Sequence, residues 1–376
     1  MNTLAKNPLI AVVFGTRPEA VKMIPVIKEL QKNASLSTLI VSTGQHREML
    51  RPVLQRFGIN VDVEMDLMEP NQSLYRLSSK AITKFEELFL KSRPSLLLVQ
   101  GDTTTAFLGA LCAFYGKIPI GHIEAGLRTD NKYFPFPEEI NRRLISVVAD
   151  LHFAPTEGNK QRLIGEGIRP ESVFVTGNTG IDALVLASKI DSAPTEYTKT
   201  SHKKRLLLVT LHRRESFGEI MEEIFKALRT LAEKFPDIEI VYPVHLNPNV
   251  HSPAHAILGN IANIRLIEPL DYFDFVQLMK RAYLVLTDSG GIQEEAPTLG
   301  VPVLVLRNET ERPEAVTAGT VRLVGTSPDV IVAEASRILE DAQERLKLTR
   351  ATNPYGDGKA APRIVQHILK FLCVHD

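Results

Sequence analysis

The chain has 376 residues, a length that suits two α/β domains of ordinary size, each with its own core. Its 44 basic residues balance its 44 acidic residues. No overall field would therefore attract it to nucleic acid or to an anionic membrane surface, and any anion site has to be local. The only cysteines are Cys112 and Cys373, which excludes a disulfide framework or a cysteine-rich zinc site and favours a cytoplasmic protein.

The first half of the chain alternates short apolar runs with helical patterns, which is typical of a parallel sheet built from βα units. The apolar run at residues 9–15 is followed by Arg17 and lacks a small-residue cleavage site, so we interpret it as a first strand rather than a signal peptide. A helix is predicted to open at Pro18. Residues 103–116 form the longest uncharged segment with a helical pattern, but a membrane span needs about 20 residues.

Five further strands are predicted in this half, at residues 38–43, 95–101, 118–124, 151–156 and 173–179. Residues 188–205 are polar and have no period, so we expect a linker there. A second series of strands is predicted at residues 205–211, 238–244, 264–270, 283–288 and 301–307. The helix after its first strand has an apolar face and a predicted capping box made by Ser216 and Glu219.

Polar clusters follow seven of these predicted strands. They are GTRPEA (15–20), TGQH (43–46), GDTTT (101–105), HIEAGLRT (122–129), TLHRRE (210–215), PVHLNP (243–248) and DSGG (288–291). Ligands of doubly wound sheets bind at the carboxyl ends of the strands, and two such domains facing each other would bind one in the cleft between them. We therefore expect the site among these clusters.

The stretch LVLTDSGGIQEEAPTLG, residues 284–300, turns from β-formers directly into a helix. A helix start collects unpaired backbone N–H groups and the positive end of the macrodipole, and adjacent glycines let a ligand approach the backbone. This favours a phosphate site at Ser289, Gly290 and Gly291. The alternative is a capped turn, of which serine and glycine are ordinary residues.

Four other residues near predicted helix starts, Glu295, Arg17, Lys22 and His212, can each be interpreted in two ways. Glu295 either contacts a ligand or complements the helix dipole. Arg17 and Lys22 suit a second anion contact or a solvated helix end. His212 lies between a strand and a helix, where a lone histidine is more often structural than catalytic.

Two charged stretches favour ordinary structural roles. Glu138 with Arg142, and Glu139 with Arg143, have the i,i+4 spacing of a salt-bridged surface helix. Residues 62–66, DVEMD, alternate polar and apolar side chains, which favours an exposed strand over a metal site.

The sequence lacks the motifs of several well-known cofactor and metal sites. The nearest match to G-x-G-x-x-G, GEGIRP at residues 165–170, ends in proline and does not follow a strand, so no dinucleotide cofactor is predicted. The sequence has no Walker loop and no H-E-x-x-H. HIE at residues 122–124 lacks the P-C-x-x-C partner of a zinc deaminase. No metal and no cofactor are expected.

The ordered set of motifs resembles the non-hydrolysing UDP-N-acetylglucosamine 2-epimerase family of bacteria. The matching motifs are GTRPEA, TGQHREML, GDTTTAF, HIEAGLRT, PFPEEINRRL, TGNTGID, TLHRRE, PVHLNP, DSGGIQEEAP and VLRNETERPE. The resemblance implies two doubly wound Rossmann-like α/β domains facing across a cleft, the GT-B architecture. It also implies that residues 1–180 with a C-terminal helix at about 356–376 form the first domain, that residues 181–355 form the UDP-binding domain, and that the protein is a homodimer.

The resemblance further implies roles for individual residues. The catalytic residues would be Asp102, Glu124, Glu138 and His212. The UDP contacts would be Arg17, Lys22, Phe275, Ser289, Gly290, Gly291, Glu295 and Arg312, with Glu295 on the ribose hydroxyls and Glu294 structural. A second substrate molecule acting as an activator would contact Gln45, His46, Glu138, Arg213 and His245. Strongly activated family members have a glutamine and an arginine where this chain has Glu48 and Asn71. We therefore expect activation to be weak or absent.

The implied reaction converts UDP-N-acetylglucosamine to UDP-N-acetylmannosamine through elimination of UDP and its re-addition, without a cofactor. Asp102 and Glu138 would move the C2 proton and Glu124 would organise the site. Three alternatives remain. They are a hydrolysing epimerase that releases free sugar and UDP, a glycosyltransferase of the same architecture, and a catalytically silent sugar-nucleotide sensor.

Overall fold

The computed structural model describes residues 7–44, 47–69, 71–190 and 204–375. Gln45, His46 and residues 191–203 of the expected linker lie outside this part of the chain. The described residues form two compact units. Unit 1 contains those up to Ala183 and from Gly356 onward, and unit 2 runs from Leu184 to Tyr355.

Unit 1 is built on a parallel sheet. Its strands are β1 (Leu9–Phe14), β2 (Ser37–Ser42), β3 (Val63–Glu64), β4 (Leu96–Gln100), β5 (Ile120–Ile123), β6 (Leu151–Ala154) and β7 (Val173–Val175). The helices between and after them are α1 (Arg17–Gln31), α2 (Arg47–Arg56), α3 (Leu74–Ser92), α4 (Thr104–Tyr115), α5 (Glu138–Val148), α6 (Glu157–Gly165) and α7 (Thr179–Ala187), and α7 contains the unit boundary.

Unit 2 repeats the design. Its strands are β8 (Arg205–Thr210), β9 (Ile238–Pro243), β10 (Ile264–Ile267), β11 (Leu284–Thr287), β12 (Val303–Val305) and β13 (Val321–Leu323). Its helices are α8 (Glu219–Lys234), α9 (Pro248–Leu258), α10 (Tyr272–Arg281), α11 (Gly290–Thr298), α12 (Pro313–Thr317), α13 (Pro328–Glu340) and α14 (Ala342–Arg350).

The order of the strands confirms the predicted α/β class. Unit 1 has the order β3-β2-β1-β4-β5-β6-β7, and unit 2 has β10-β9-β8-β11-β12-β13. Each is a doubly wound parallel sheet whose strand order reverses once, between β1 and β4 in unit 1 and between β8 and β11 in unit 2. The loops that follow these four strands therefore meet at the two switch points.

The central strands are buried on both faces, which is why they read as continuous apolar runs. In β1, residues 10–14 are at most 1% exposed, and β4 and β11 are buried along their whole lengths. The edge strands β3 and β13 are short and partly exposed. β13 was not predicted, because its three residues, VRL, include the charged Arg322 and form no continuous apolar run.

Two predicted helix starts differ from the structure. Helix α1 begins at Arg17, one residue before the predicted Pro18, because Thr16 caps it. The capping box of Ser216 and Glu219 is wrong: Ser216 lies in a 3₁₀ turn (Arg214–Ser216), and the N-cap of α8 is Gly218 with a φ of +80°. Gly218 adopts this left-handed conformation at no steric cost, so α8 begins after it and Glu219 is the first residue of the helix rather than the third.

The last helix, α15 (Ala360–His375), belongs to unit 1 and packs on α1. Its start is held by Asp182 of α7, whose two carboxylate oxygens accept the backbone N–H groups of Ala360 and Ala361 at 3.1 and 2.8 Å. Further along, the ring of His367 stacks on Phe174 of β7 with centroids 3.9 Å apart. None of the helices in the described part of the chain is long and apolar enough to cross a bilayer.

Candidate active site

At the switch point of unit 1, the buried carboxylate of Glu19 joins the loops after β1 and β4. One oxygen accepts the backbone N–H groups of Gly15 and Thr16 at 3.0 and 2.7 Å, and also the Thr16 hydroxyl. The other oxygen accepts the hydroxyl of Thr103 at 2.6 Å. Burial raises the pKa of Glu19, although these four hydrogen bonds oppose the rise. Since Thr103 follows Asp102, Glu19 fixes the backbone beside a predicted catalytic residue.

We expect Glu19→Ala to lower the free energy of unfolding by about 2–3 kcal/mol, because it removes the glutamate half of the capping box of α1 and leaves buried N–H groups of Gly15 and Thr16 without an acceptor. Glu19→Gln retains an acceptor for these groups and should cost less than half as much. Urea denaturation of the full chain measures both. Equal losses in the two variants would contradict the hydrogen-bond explanation and point to the carboxylate charge instead.

Asp102 lies at the start of the loop after β4 and forms an ion pair with Arg142 of α5. Burial raises the pKa of Asp102, the charges of Glu124 and Glu138 add to the rise, and Arg142 and Lys22 oppose it. These four charged side chains therefore lie close enough to Asp102 to influence its charge. A carboxyl group whose pKa is raised towards neutrality is suited to exchanging a proton with a ligand.

Glu124 follows β5 and is held from two sides. Lys22 of α1 donates to its Oε1 at 2.7 Å, and the side-chain amide of Gln100, the last residue of β4, donates to its Oε2. The φ of Glu124 is +67°, a left-handed conformation that is rare for residues with a side chain. Such conformations cluster at functional sites. Lys22 was predicted to contact UDP, and in this structure its partner is Glu124.

Glu138 and Glu139 begin α5 but differ in their surroundings. Glu139 is fully buried and binds the backbone N–H of Thr129 at 3.0 Å and Arg143 at 2.9 Å. Burial would raise the pKa of Glu139, but these hydrogen bonds outweigh it and lower the pKa. Glu138 is half-buried, and its predicted ion pair with Arg142 is wrong, because among the described residues Arg142 pairs with Asp102 and Glu139. The carboxylate of Glu138 is thus not paired with Arg142, and its charge contributes to the raised pKa of Asp102.

The predicted anion contact Arg17 is the first residue of α1 and is half-buried. Next to this cluster, His122 of β5 is completely buried, and its Nε2 lies 2.8 Å from the carbonyl oxygen of Gly101. Burial lowers the pKa of His122 to about 3, so its ring stays neutral and structural. Unit 1 thus brings together Lys22, Asp102, Glu124 and Glu138.

At the switch point of unit 2, the loops after β8 and β11 are joined by Asp288. Its Oδ2 accepts the backbone N–H groups of His212 and Arg213, each at 2.8 Å. The ring of His212 lies near that of His245, which follows β9, with centroids 6.1 Å apart and the ring planes inclined by 23°. The side chain of Arg213 lies 3.6 Å from Glu311. Three predicted residues from two separate motifs, His212, Arg213 and His245, therefore lie near one another.

The predicted phosphate turn lies at the start of α11. Ser289 is the N-cap residue, its side chain makes no capping hydrogen bond, and Gly290 and Gly291 are the first two helical residues. Neither glycine has a positive φ among the described residues. A Cβ built at Gly290 would lie 3.6 Å from the guanidinium of Arg213, and one at Gly291 would lie 4.0 Å from Glu295. A side chain at Gly290 would thus approach Arg213 and one at Gly291 would approach Glu295, and the two glycines leave that space open.

The remaining predicted UDP contacts occupy other elements of unit 2. Arg312 is the N-cap of α12 and forms an ion pair with Glu294 of α11, which ties α12 to the phosphate turn. Glu294 therefore has a structural partner. Glu295 is half-buried on α11, and Phe275 is half-buried on α10.

Sequence reasoning missed four residues that organise these sites: Glu19, Gln100, Arg142 and Asp288. Glu19 had a readable signal, because Thr16-x-x-Glu19 has the spacing of a capping box, and this box is present in the structure. Asp288 follows a buried strand directly, but nothing in the sequence indicates that its carboxylate reaches the loop after β8. The roles predicted for Gln45 and His46 lie outside the described residues.

Comparison with known proteins agrees with the motifs. The family model for UDP-N-acetylglucosamine 2-epimerase matches residues 28–369. The UDP-N-acetylglucosamine 2-epimerase of Bacillus subtilis (strain 168) is 48% identical over 364 residues, 97% of this chain and 96% of that protein. The enzyme of that name from Escherichia coli (strain K12) is 50% identical over 362 residues, 94% of this chain and 96% of that protein.

A solved structure extends the likeness to three dimensions. The UDP-GlcNAc 2-epimerase of Neisseria meningitidis, bound to UDP-GlcNAc, is 47% identical, has a TM-score of 0.84, and the match covers 96% of this chain and 100% of that chain. Identity near one half along almost the whole length, together with the same fold, confirms the resemblance read from the motifs. The chain belongs to the UDP-N-acetylglucosamine 2-epimerase family.

Proposed function

We propose that this chain catalyses the reversible epimerisation of UDP-N-acetylglucosamine to UDP-N-acetylmannosamine without releasing free sugar. The observation that carries the proposal is the cluster around Asp102: a carboxyl group with a raised pKa, two further carboxylates at Glu124 and Glu138, and the cations of Lys22 and Arg142. The family membership supplies the substrate class. This combination suits proton transfer at an unreactive C–H bond.

The proposed chemistry begins at the anomeric carbon. The C2 hydrogen of the sugar has no adjacent carbonyl, so direct deprotonation is very unfavourable. When the C1–O bond breaks, its electron pair leaves with the β-phosphate of UDP, a carboxylate takes the C2 proton, and a C1=C2 double bond forms. The resulting 2-acetamidoglucal is then protonated at C2 on the opposite face, and a UDP oxygen adds back to C1. Atoms and charge balance without a redox cofactor.

The carboxylates would divide the proton transfers. We propose Asp102 and Glu138 as the acid–base pair. General acid–base groups of this kind contribute about 10²- to 10⁴-fold to the rate. Glu124 would organise the site rather than transfer a proton, which is supported by its contacts with Lys22 and Gln100, since both hold the carboxylate in one orientation.

The residues of unit 2 would hold the nucleotide. The Ser289–Gly291 turn is proposed to bind the diphosphate through the N–H groups of Gly290 and Gly291, because the N–H of Ser289 donates to the Thr287 hydroxyl at 2.9 Å. Glu295 is proposed to bind the ribose hydroxyls. His212 and Arg17 would stabilise the charge that develops on the leaving diphosphate, which is commonly the larger contribution to catalysis. Lys22, Phe275 and Arg312 are proposed as further nucleotide contacts. Lys22 also pairs with Glu124, and Arg312 with Glu294.

Incubation of the purified chain with UDP-N-acetylglucosamine in D₂O, followed by NMR, tests the proposal. We expect deuterium at C2 in a mixture of the two epimeric sugar nucleotides. Free N-acetylmannosamine with stoichiometric UDP would instead indicate a hydrolysing epimerase. No turnover until an acceptor is added would indicate a glycosyltransferase, and binding without any exchange would indicate a sensor.

Some further proposals rest on the family resemblance. We infer a cytoplasmic homodimer that supplies precursors for cell-surface polysaccharide. Sedimentation equilibrium tests the dimer, and the N-acetylmannosamine content of surface polymers in a deletion strain tests the pathway. Activation by a second substrate molecule at Arg213 and His245 is expected to be weak, so the rate should rise hyperbolically with substrate concentration.

A further inference from the structure

Asp288 is a completely buried carboxylate whose two oxygens have different surroundings. Oδ2 is occupied by the backbone N–H groups of His212 and Arg213. Oδ1 is buried, makes no aligned hydrogen bond among the described residues, and lies 3.3 Å from Nδ1 of His212. The carboxylate therefore fixes the backbone of His212 with one oxygen and faces its ring with the other.

The cations around Asp288 have other partners. Arg307 lies 2.7 Å from Glu311 and 2.8 Å from Glu215, and Arg213 lies 3.6 Å from Glu311. The other titratable neighbours are His245, whose ring centroid lies 6.1 Å from that of His212, and Tyr242, whose hydroxyl donates to the carbonyl oxygen of Leu211 at 3.0 Å. Within the described part of unit 2, His212 is thus the side chain placed to satisfy Oδ1.

We propose that Asp288 is a positioning residue that sets the protonation state of His212 by accepting a hydrogen bond from its Nδ1–H. With Nδ1 protonated and facing a buried anion, binding a diphosphate at the opposite edge of this partly exposed ring leaves the ring between two anions. Such an arrangement favours the imidazolium, in which Nε2 also carries a proton to donate to the leaving group. This inference rests on the proposed role of His212 beside the diphosphate.

Asp288→Asn is the diagnostic substitution, because an amide has one acceptor oxygen where the carboxylate has two. The N–H groups of His212 and Arg213 both need that oxygen, so the amide NH₂ must face Nδ1 of His212. An NH₂ donor requires an unprotonated Nδ1. The ring would then be held as the neutral Nε2–H tautomer, which can still donate to a phosphate oxygen but carries no charge.

The direct test is ¹⁵N NMR of histidine-labelled protein, free and saturated with UDP. In the wild type with UDP at neutral pH, we expect both nitrogens of His212 to be protonated. In Asp288→Asn we expect a bare Nδ1, with or without UDP. A bare Nδ1 in the UDP complex of the wild type, or unchanged ¹⁵N shifts in the variant, would overturn the proposal. Neither spectrum requires epimerase activity, so this outcome is separate from a failure of the proposed function.

Kinetics supply a second readout. In metal sites, loss of a carboxylate that orients a ligating histidine typically costs about 10- to 100-fold. We expect a loss of similar size in kcat here, with the KM for UDP-N-acetylglucosamine changed less than about threefold, because the contribution arises only as charge develops. In His212→Gln, the further change Asp288→Asn should then have little effect, since residues that act as one unit are not additive. Additive losses would mean that Asp288 acts through the fold and not through His212.

Discussion

Replacing Asp102 by asparagine is expected to slow exchange of the C2 hydrogen by about 10²- to 10⁴-fold, the range that general acid–base groups contribute. Burial and the charges of Glu124 and Glu138 raise the pKa of Asp102, which prepares it to bind and release a proton. An amide of the same shape can do neither. The effect should appear in kcat, while UDP affinity should stay within about threefold.

The fold should tolerate this substitution. The backbone carbonyl of Asp102 accepts the side-chain amide of Asn141 at 2.9 Å, and this contact does not involve the carboxylate. Arg142 loses its ion pair with Asp102 but keeps Glu139 within 3.5 Å. The unfolding midpoint should therefore change by no more than a few degrees, and lost exchange can be attributed to the missing carboxylate.

The matched control is Glu87→Gln on α3, which removes a carboxylate from an exposed ion pair with Lys84. It should leave exchange, UDP affinity and unfolding unchanged, since exposed pairs contribute about 0–1 kcal/mol. Exchange at the normal rate in Asp102→Asn would remove Asp102 from the acid–base pair. Equal losses of UDP affinity and exchange would assign it to binding.

In both units, a buried carboxylate joins two loops at the switch point of the sheet. In unit 1 the buried Glu19 accepts hydrogen bonds from the loops after β1 and β4, and in unit 2 the buried Asp288 accepts them from the loop after β8 while lying in the loop after β11. A doubly wound sheet places these loop pairs together but does not fix their conformations. A buried carboxylate does so because its oxygens satisfy backbone N–H groups that would otherwise be left unpaired.

Much of the fold was readable from the sequence because strands buried on both faces are continuous apolar runs. The six strands predicted first, beginning with residues 9–15, all exist, and so do the five of the second series. What failed was local: β13 is a short edge strand whose apolar run is interrupted by Arg322, and the start of α8 depends on Gly218, whose left-handed φ outweighs the capping signal of Ser216 and Glu219. Turn geometry is decided by single residues, and periodicity does not register it.

The sequence predicted which residues are candidates for the site but not which of them contact one another. The ordered motifs pointed to Asp102, Glu124 and Glu138, and unit 1 places all three together. Their partners could not be inferred, since Lys22 and Glu124 are 102 residues apart and Arg142 and Asp102 are 40 apart. Such pairs depend on the order of strands in the sheet and on how α5 packs, which a single sequence does not state.

We expect the double substitution Gly290→Ala with Gly291→Ala to weaken UDP binding by about 100-fold, or about 2.7 kcal/mol, without destabilising the protein. The free structure has no need of glycine at either position: neither φ is positive, and the nearest atoms to an added Cβ lie 3.6 and 4.0 Å away. Alanine is the better helix former. We therefore attribute the two glycines to ligand binding. Two methyl groups would occupy the space that a diphosphate needs to reach the backbone N–H groups.

The other end of the same helix supplies the opposite control. Gly300 follows α11 with a φ of +71° and has nothing within 4 Å of an added Cβ, so Gly300→Ala strains the backbone without touching a ligand. It should lower the free energy of unfolding by about 1–2 kcal/mol and leave UDP affinity unchanged. Calorimetric titration with UDP and thermal unfolding of both variants separate the two effects. If the Gly290 and Gly291 double variant bound UDP normally, the diphosphate could not lie on this turn, and His212 beside it would lose its proposed target.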